Sequence, residues 1–245
     1  MGYFVTCFFF LLSLILNKIN DFYKSEKIKI LEQIIRSLGE YIQCYSIWFL
    51  LKIQPWLKLN ENFQSIRYFY KKYNTKKIMF VANHRSNLDT FLLISLIPGL
   101  RGMAKKSLFS NPFFAPMMHL AGFVPVKKGN LNDFRKGIDL LKTKILNKNF
   151  AALVFPETTR CQKNAMGLQK FSDAVFLAAI ESQALIVPII IQGSDQVLGR
   201  GDLLLNPYKP IQMIICDAVQ SSEFKTPTEL SNFIRNYFLE RMLCN

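Results

Sequence analysis

The sequence is poor in histidine, in acidic residues and in paired cysteines. It has two histidines, His84 and His119, so any histidine chemistry must use one of them. The five cysteines are odd in number and contain no C-x-x-C pair, which argues against a disulfide framework or a zinc site and fits a reducing compartment. Asp and Glu total 17 against 31 Lys and Arg, which gives a formal charge of +14. A chain with this positive charge is expected to bind nucleic acid, membrane phosphates or an anionic substrate.

The composition indicates a folded protein that associates with a membrane surface. Half of the residues are hydrophobic and 20% are charged, which excludes a disordered tail. The mean hydropathy of +0.15 is high for a nucleic-acid binder, and the basic residues are spread along the chain without a recognised nucleic-acid-binding signature. We therefore expect no nucleic-acid partner. The length of 245 residues predicts one domain plus an appendage.

The first sixty residues carry the membrane signal. Residues 3–16 are uncharged and almost wholly apolar, but this run is shorter than the ~20 residues that a helix needs to cross a bilayer. Lysines follow the run, and the positive-inside rule would keep them and the rest of the chain in the cytoplasm. Residues 41–59 interleave both tryptophans with lysines, as at a membrane interface. We predict a helical membrane anchor over 1–60 and a second domain over 61–245, with core helices of a soluble domain as the alternative.

The pattern changes after Lys76 to short apolar runs that alternate with amphipathic stretches. The continuous apolar runs predict strands buried on both faces over 78–82, 123–126, 151–155, 185–191 and 211–216. Helical spacing predicts helices over 131–145 and 171–180 and a last helix with Thr226 as its N-cap and Pro227 in its first turn. This alternation predicts an α/β domain with a largely parallel sheet flanked by helices.

Polar clusters directly follow two of these predicted strands. Residues 83–89 read Asn-His-Arg-Ser-Asn-Leu-Asp, and residues 156–160 read Pro-Glu-Thr-Thr-Arg. Functional sites of parallel sheets lie at the carboxyl ends of the strands, which is where both clusters fall. The two clusters are therefore the candidates for a functional site.

His84 and Asp89 are the candidate catalytic residues. The two residues are five positions apart in sequence, which on a regular helix would direct their side chains about 140° away from each other. They can be in contact if His84 lies in a turn and Asp89 lies in the first turn of the helix that follows. Asp89 would then hold one ring nitrogen as N–H and leave the other free as a base. With no serine or cysteine nucleophile obviously paired with it, such a base favours direct attack by the substrate's own hydroxyl. A structural loop histidine is the alternative.

The remaining candidates are charged residues in inter-element segments. Glu157 can accept from a substrate hydroxyl, and Arg160 can bind a phosphate or carboxylate with its forked guanidinium, although an ion pair at a strand end is the alternative. Lys128 stands between a predicted strand and the start of a predicted helix, a favourable place for an anion, and Lys105 adds charge in another such segment. A solvated basic loop is the alternative for these lysines. No metal site is predicted.

Four blocks, taken in order, resemble those of the glycerolipid acyltransferase family. Residues 83–89 look like its NHxxxxD block, residues 104–109 with 121–130 like its second block, residues 155–160 like its FPEGTR block, and residues 187–189 like its short V-P block. Any one block is modest evidence for the family. All four occur in the family's order and at similar spacing, which makes the combined evidence strong. The resemblance covers roughly residues 76–191, and an N-terminal helical anchor is also typical of the family.

The resemblance implies an O-acyltransferase on the cytoplasmic face of a membrane. His84, oriented by Asp89, would deprotonate the free hydroxyl of a lysophospholipid, which would attack an acyl-CoA or acyl carrier protein thioester. Glu157 would position the acceptor, and Arg160 and Lys128 would bind its phosphate. The leading acceptor is 1-acyl-glycerol-3-phosphate, which gives phosphatidic acid. The implied partners are these substrates and membrane lipids, and no cofactor is expected, since the thioester is a co-substrate.

Two positions depart from the family pattern. Thr158 stands where the family usually has glycine, so either the loop differs or the acceptor pocket is altered. Lys128 stands where arginine is common, which keeps the charge but loses the bidentate fork. Acceptor identity is therefore less fixed than reaction type. One alternative is an acyltransferase that uses another lyso-lipid as its acceptor. The others are a basic membrane-binding protein that is not an enzyme, and a family member that has lost its activity.

Overall fold

The computed structural model describes most of the chain from residue 26 onward. The described residues are 11–12, 15, 26–52, 54, 57–59, 68, 70, 77–112, 114–127, 129–145, 151–162, 167–202 and 204–243. Most of the predicted apolar run over 3–16 lies outside them, as do Trp56 and Lys128. What we expected of those positions therefore stays a prediction.

Helices and strands alternate along the described residues. In chain order they are α1 (Glu26–Lys52), β1 (Lys58–Leu59), β2 (Ile78–Ala82), α2 (Leu88–Ile94), β3 (Leu100–Lys105), α3 (Ala115–Leu120), β4 (Val124–Val126), α4 (Leu131–Ile145), β5 (Ala151–Val154), α5 (Asp173–Ser182), β6 (Leu185–Gln192), α6 (Ser194–Leu198), β7 (Pro210–Ile215), β8 (Val219–Gln220) and α7 (Pro227–Leu243). Short 3-10 turns at Lys106–Leu108 and Ser221–Glu223 follow β3 and β8.

The described strands form one mixed sheet in the order β1-β7-β6-β2-β5-β3-β4, with β8 also paired to β6. The central pairs β6/β2, β2/β5 and β5/β3 are parallel, as are β3/β4 and β1/β7. Strand β6 pairs antiparallel with β7 and β8. The predicted α/β class with a largely parallel, helix-flanked sheet is confirmed.

Strand β3 was missed because its sequence does not look like a buried strand. Leu100–Lys105 contains Arg101, Gly102 and Lys105, so it shows neither a continuous apolar run nor a clean alternation. It pairs with β5 and β4 nonetheless. A Cβ at Gly102 would stand 2.7 Å from the Leu153 carbonyl oxygen, so glycine permits the close approach of these two backbones.

Apolar side chains fill both faces of the sheet. Successive residues of β2 point to opposite sides: Ile78 and Phe80 join a cluster with α2, and Met79 and Val81 join a cluster with α4, α5 and α7. All five β2 residues are buried, as the continuous run Ile78–Ala82 predicted. Each such large side chain contributes about 1.5–3 kcal/mol when fully buried, so this double-sided packing fixes the strands that carry the polar loops.

Helix α1 packs one face against the sheet domain. Ile47, Trp48 and Leu51 contact the cluster that contains Phe80. The Cys44 thiol donates to the Ser95 carbonyl oxygen at 3.2 Å. Trp48, which we predicted to mark a membrane interface, therefore packs in part against protein.

The opposite face of α1 is an exposed apolar stripe. Its members recur at helical spacing and each exposes close to half or more of its surface: Ile30, Leu31, Ile34, Leu38, Tyr41, Tyr45, Phe49 and Leu50. Among the residues that the structure describes, no helix combines the length and hydropathy needed to span a bilayer. The predicted boundary between 1–60 and 61–245 falls in a stretch of which few residues are described, and it stays a prediction.

Candidate active site

Three loops meet at the carboxyl edge of the central strands. Strands β6, β2 and β5 are neighbours and run parallel, so the segments that follow them emerge side by side. The segment after β2 carries His84 and Asp89, the one after β5 carries Glu157, and the one after β6 opens α6 with Ser194. The two sequence clusters thus lie together, joined by a third segment that sequence reasoning missed.

His84 and Asp89 are in direct contact. The His84 Nδ1 atom lies 3.1 Å from Asp89 Oδ2, because His84 lies in the turn after β2 and Asp89 in the first turn of α2. Asp89 is fully buried, and its Oδ2 also accepts from the backbone N–H groups of Arg85 and Ser86, both at 2.7 Å. The turn therefore overcomes the angular separation that a regular helix would impose.

This contact fixes the chemistry available to the imidazole. A carboxylate only accepts hydrogen bonds, so in the neutral ring the hydrogen lies on Nδ1, facing Asp89, and Nε2 keeps its lone pair. The ring stacks on Phe155, with centroids 4.1 Å apart and planes 20° apart. The His84 side chain keeps 18% of its surface exposed, so a reactant can reach it.

Glu157 braces the His84 turn from the neighbouring strand. Its Oε1 accepts from the backbone N–H of His84 at 2.9 Å, and its Oε2 accepts from the N–H of Gln169 at 3.1 Å. Burial raises the pKa of the Glu157 carboxyl, while these two N–H donors act to lower it. The structure thus places Glu157 beside His84 and gives each of its oxygens a partner within the protein.

Thr158 keeps the backbone conformation that favours glycine. Its φ is +57°, and its N–H donates to the Phe155 carbonyl oxygen at 3.0 Å to close the turn. This left-handed conformation costs a non-glycine residue about 1–2 kcal/mol. The Thr158 side chain is exposed on the loop between Glu157 and Arg160.

Of the predicted phosphate-binding cations, Arg160 and Lys105 lie at this edge of the sheet, and no hydrogen bond or ion pair is described between them. Arg160 is half-buried, and its carbonyl oxygen accepts from Arg200 Nη1 at 3.4 Å. Lys105 is exposed at the end of β3, which lies two strands from β2, or roughly 10 Å. Lys128 lies outside the described residues, and Lys127 before it is exposed just after β4. Phosphate binding by these residues stays a prediction.

Arg85, in the turn that carries His84, forms an ion pair with Asp195. Arg85 Nε and Nη2 each donate to a carboxylate oxygen of Asp195 at 2.9 Å, and the Arg85 and Asp195 side chains expose 13% and 3% of their surface. The hydrogen bonds that Arg85 donates to Asp195 raise the pKa of Arg85 further above its usual value. A sequence signal existed, because Ser194 and Asp195 follow the predicted strand 185–191 as the other two clusters follow theirs.

Asn83 joins β2 to β6 at the same edge. Its side-chain amide donates to the Ile191 carbonyl oxygen at 2.8 Å and accepts from the Ile191 N–H at 2.7 Å. A fully buried asparagine here completes the sheet ladder where β2 turns away. It thereby sets the point at which the His84 turn begins.

Cys161 lies beside the site as a buried thiol. Its backbone N–H donates to the His84 carbonyl oxygen at 3.0 Å, and burial raises the pKa of its thiol above the usual 9.0. The thiolate is the nucleophilic form of cysteine, so this thiol is a poor nucleophile near neutral pH. Cys161 therefore lacks the lowered thiol pKa of a cysteine nucleophile.

Comparisons with known proteins identify the family of the chain. A family model described as Acyltransferase matches residues 60–192. The chain is 27% identical over 183 residues to the chloroplastic 1-acyl-sn-glycerol-3-phosphate acyltransferase LPAT1 of Arabidopsis thaliana, covering 72% of this chain and 48% of the relative. It is 32% identical over 149 residues to the 1-acyl-sn-glycerol-3-phosphate acyltransferase of Saccharomyces cerevisiae, covering 56% of this chain and 48% of the relative.

A solved structure extends the likeness to the fold. The crystal structure of the 1-acyl-sn-glycerophosphate (LPA) acyltransferase PlsC from Thermotoga maritima superposes with a TM-score of 0.63 at 16% identity, over 100% of this chain and 99% of that one. The chain spans about half the length of the curated relatives it matches. The family match spans the loops of His84, Asp89, Glu157 and Arg160 and more than half of the sequence, and the chain belongs to the acyltransferase family.

Proposed function

We propose that the protein transfers a fatty acyl group from a thioester to the free hydroxyl of a lysophospholipid, with 1-acyl-glycerol-3-phosphate as the acceptor and phosphatidic acid as the product. The observation on which the proposal rests is the contact between His84 and Asp89 just after the carboxyl end of β2. The relatives named 1-acyl-sn-glycerol-3-phosphate acyltransferases support the choice of acceptor.

The chemistry follows from the orientation of the imidazole. His84 Nε2 takes the proton of the acceptor hydroxyl, and the oxygen attacks the carbonyl carbon of the thioester. Asp89 stabilises the imidazolium that forms, since its Oδ2 faces the ring N–H. The tetrahedral intermediate collapses, the carbon–sulfur bond breaks, and the imidazolium returns the proton to the leaving thiolate. The ester oxygen comes from the acceptor, so no acyl-enzyme is required.

The acceptor's phosphate is bound by cations, of which Arg160 and Lys105 lie at the same edge of the sheet. Arg160 offers a bidentate fork, Lys128 a point charge, and Lys105 a further charge across β5. We predicted that Glu157 positions the acceptor directly. Since both of its oxygens already accept backbone N–H groups, we propose instead that it acts chiefly by holding His84 in place.

The bilayer supplies the acceptor and binds the N-terminal part of the chain. The apolar stripe on α1 and the charge of +14 support binding to an anionic membrane surface, with the thioester donor arriving from the cytoplasmic side. Residues 3–16 would add apolar surface to this contact. Acyl-CoA and acyl carrier protein both present the same thioester, so the assay below compares the two as acyl donors.

Thr158 favours one second candidate, an acyltransferase for a lyso-lipid with a different headgroup. Its side chain projects from the acceptor-side loop between Glu157 and Arg160, at a position where glycine would leave space. A threonine there changes the shape and hydrogen bonding that a headgroup meets. Reaction type is unaffected by this substitution, because His84 and Asp89 lie in another loop.

The experiment is a transfer assay on the detergent-purified full chain. Radiolabelled acyl-CoA is incubated with lysophosphatidate, and the lipid product is separated by thin-layer chromatography. The wild-type protein is expected to form phosphatidate, and His84→Ala is expected to form none above background. Acyl carrier protein and other lyso-lipids are tested in parallel as donor and acceptors.

The matched control is His119→Ala, which removes the other histidine of the chain. His119 is exposed on α3, and its ring packs edge-on against Phe109. This variant is expected to retain wild-type turnover. Equal activity in a folded His84→Ala protein would overturn the mechanism. Vesicle binding without transfer to any lyso-lipid would support a membrane-binding protein that is not an enzyme.

A further inference from the structure

The two oxygens of the Asp89 carboxylate are held from different parts of the chain. Oδ2 accepts from its own turn, that is, from the backbone of Arg85 and Ser86 and from the ring of His84. Oδ1 accepts from the hydroxyl of Ser194 at 2.6 Å, across 105 residues. We propose that Ser194 is a positioning residue that fixes the Asp89 carboxylate for His84, and this proposal rests on the base role given to His84 above.

A second contact on the carboxylate matters because of its geometry. If all hydrogen-bond donors bind one carboxylate oxygen, the carboxylate can still rotate about that oxygen. A donor bound to the second oxygen fixes the plane of the carboxylate. The plane of the carboxylate decides where the Oδ2 lone pairs point, and thus how the His84 ring is turned toward a reactant. Ser194 and Asp89 are both fully buried, so water does not compete with this hydrogen bond.

The end of β6 is built to deliver Ser194 to this position. Gly193 has a φ of +80°, and a Cβ there would stand 2.1 Å from the Pro210 carbonyl oxygen. Glycine therefore allows the sharp turn from β6 into α6 against the neighbouring strand β7. Without that turn the Ser194 hydroxyl would not reach across to the helix that carries Asp89.

Helix α6 contacts the His84 turn at two further points. Asp195 binds the Arg85 guanidinium through two hydrogen bonds of 2.9 Å. The Ser86 hydroxyl donates to the Leu198 carbonyl oxygen at 2.6 Å. The three contacts together hold α6 rigidly against the turn, so the Ser194 hydroxyl is preorganised before any substrate binds.

The kinetic test compares Ser194→Ala with the wild-type full chain. Loss of the hydroxyl is expected to lower kcat by about 10- to 100-fold, by analogy with the loss seen when a residue that orients a metal-ligating side chain is removed. The KM for lysophosphatidate and for the thioester is expected to stay within about twofold, because Ser194 is buried behind Asp89. Ser194→Thr, which restores a hydroxyl, is expected to recover most of the lost kcat.

The matched control is Ser221→Ala. Ser221 is fully buried, and its hydroxyl donates to the Ala179 carbonyl oxygen at 2.9 Å on the α5 side of the sheet. It therefore reports what loss of a buried serine hydrogen bond does to stability alone. Its kcat is expected to equal that of the wild type.

A second readout does not depend on which lipid is the acceptor. With two histidines in the chain, selective ¹⁵N labelling gives two ring spin systems, and His84→Ala identifies that of His84. Ser194→Ala is expected to shift the His84 ring nitrogens and to leave those of His119 in place, while Ser221→Ala shifts neither.

The outcomes separate the two proposals. A wild-type protein that transfers no acyl group would overturn the proposed function, and the ring signals would still test the Ser194 contact. An unchanged kcat together with unchanged His84 signals in Ser194→Ala overturns the positioning role. A rise in KM that accounts for the whole loss of kcat/KM would place Ser194 in substrate binding and would also overturn it.

Discussion

The Glu157 carboxylate accepts a hydrogen bond from the backbone N–H of His84 at 2.9 Å, although 73 residues separate the two. Glu157 follows β5 and His84 follows β2, and these strands are parallel neighbours. The acidic residue of the second sequence cluster thus binds the backbone of His84, the proposed base in the first cluster. Its second oxygen is bound to the N–H of Gln169, so Glu157 ties three segments together.

The substitution Glu157→Gln tests whether this residue braces His84 or binds substrate directly. An amide presents one oxygen and one NH2 group, so either His84 or Gln169 would lose its acceptor, at a cost of about 1–3 kcal/mol. We expect kcat to fall while the KM for the acceptor lipid changes little. Steady-state kinetics at varied lysophosphatidate measures both. A rise in KM at constant kcat would instead show direct contact with the acceptor.

The substitution Asp89→Asn tests the charge of the orienting carboxylate with little change in shape. The amide oxygen can replace Oδ2 and accept from Arg85 and Ser86, and the NH2 group can donate to the Ser194 hydroxyl. The fold should therefore persist, while the imidazolium loses its compensating charge. We expect kcat to drop by about 10²- to 10⁴-fold. Turnover near wild type, in a protein whose circular dichroism spectrum is unchanged, would contradict the base mechanism.

The substitution Thr158→Gly should stabilise the protein, because it removes a side chain from a left-handed backbone. We expect a gain of about 1 kcal/mol in the free energy of unfolding, measured by urea denaturation. Gln183→Gly is the matched control, since Gln183 has a φ of +54° at the end of α5. Both variants should gain stability, but only Thr158→Gly should alter the KM for acceptor lipids. A stability gain at Gln183 alone would argue that the Thr158 loop is not strained.

Arg101 and Glu40 form an ion pair that fixes α1 to β3. Arg101 Nη2 donates to Glu40 Oε1 at 2.6 Å, and the two side chains expose 19% and 10% of their surface. Burial nevertheless raises the pKa of Glu40 above 4.5, because desolvation outweighs the attraction of Arg101 and, more weakly, of Arg36 and Lys144. Glu40 thus binds its proton more tightly in the folded state.

The substitution Arg101→Met should therefore give a pH-dependent loss of stability. Removal of the cation raises the pKa of Glu40 further, so the buried charge is costly above that pKa and is neutralised as the pH falls through it. We expect a loss of about 3 kcal/mol at pH 7.5 that shrinks toward pH 5. The double variant Glu40→Gln/Arg101→Met has no such charge and should show a deficit independent of pH. A constant deficit in the single variant would contradict this account.

Much of the sheet could be predicted because its strands are continuous apolar runs. Residues 78–82 and 185–191 were predicted within one residue of β2 and β6. The last helix begins at Pro227, and Thr226 Oγ1 accepts from the Glu229 N–H at 3.2 Å, as its capping signature indicated. Strand β3 was not predicted because Arg101, Gly102 and Lys105 interrupt its apolar pattern. The antiparallel direction of β7 was not predicted because the sequence of a strand does not specify its pairing partner.

The fold class, the order of the blocks and the residue types of the candidate site could be predicted from short segments of the sequence. Local spacing was enough for these, because strands buried on both faces and the His84–Asp89 pair each lie within a few consecutive residues. The contacts of Glu157 with His84 and of Ser194 with Asp89, and the packing of one face of α1 on the sheet, could be seen only in the folded structure. These contacts depend on which strands become neighbours, and that is settled by packing of the whole chain.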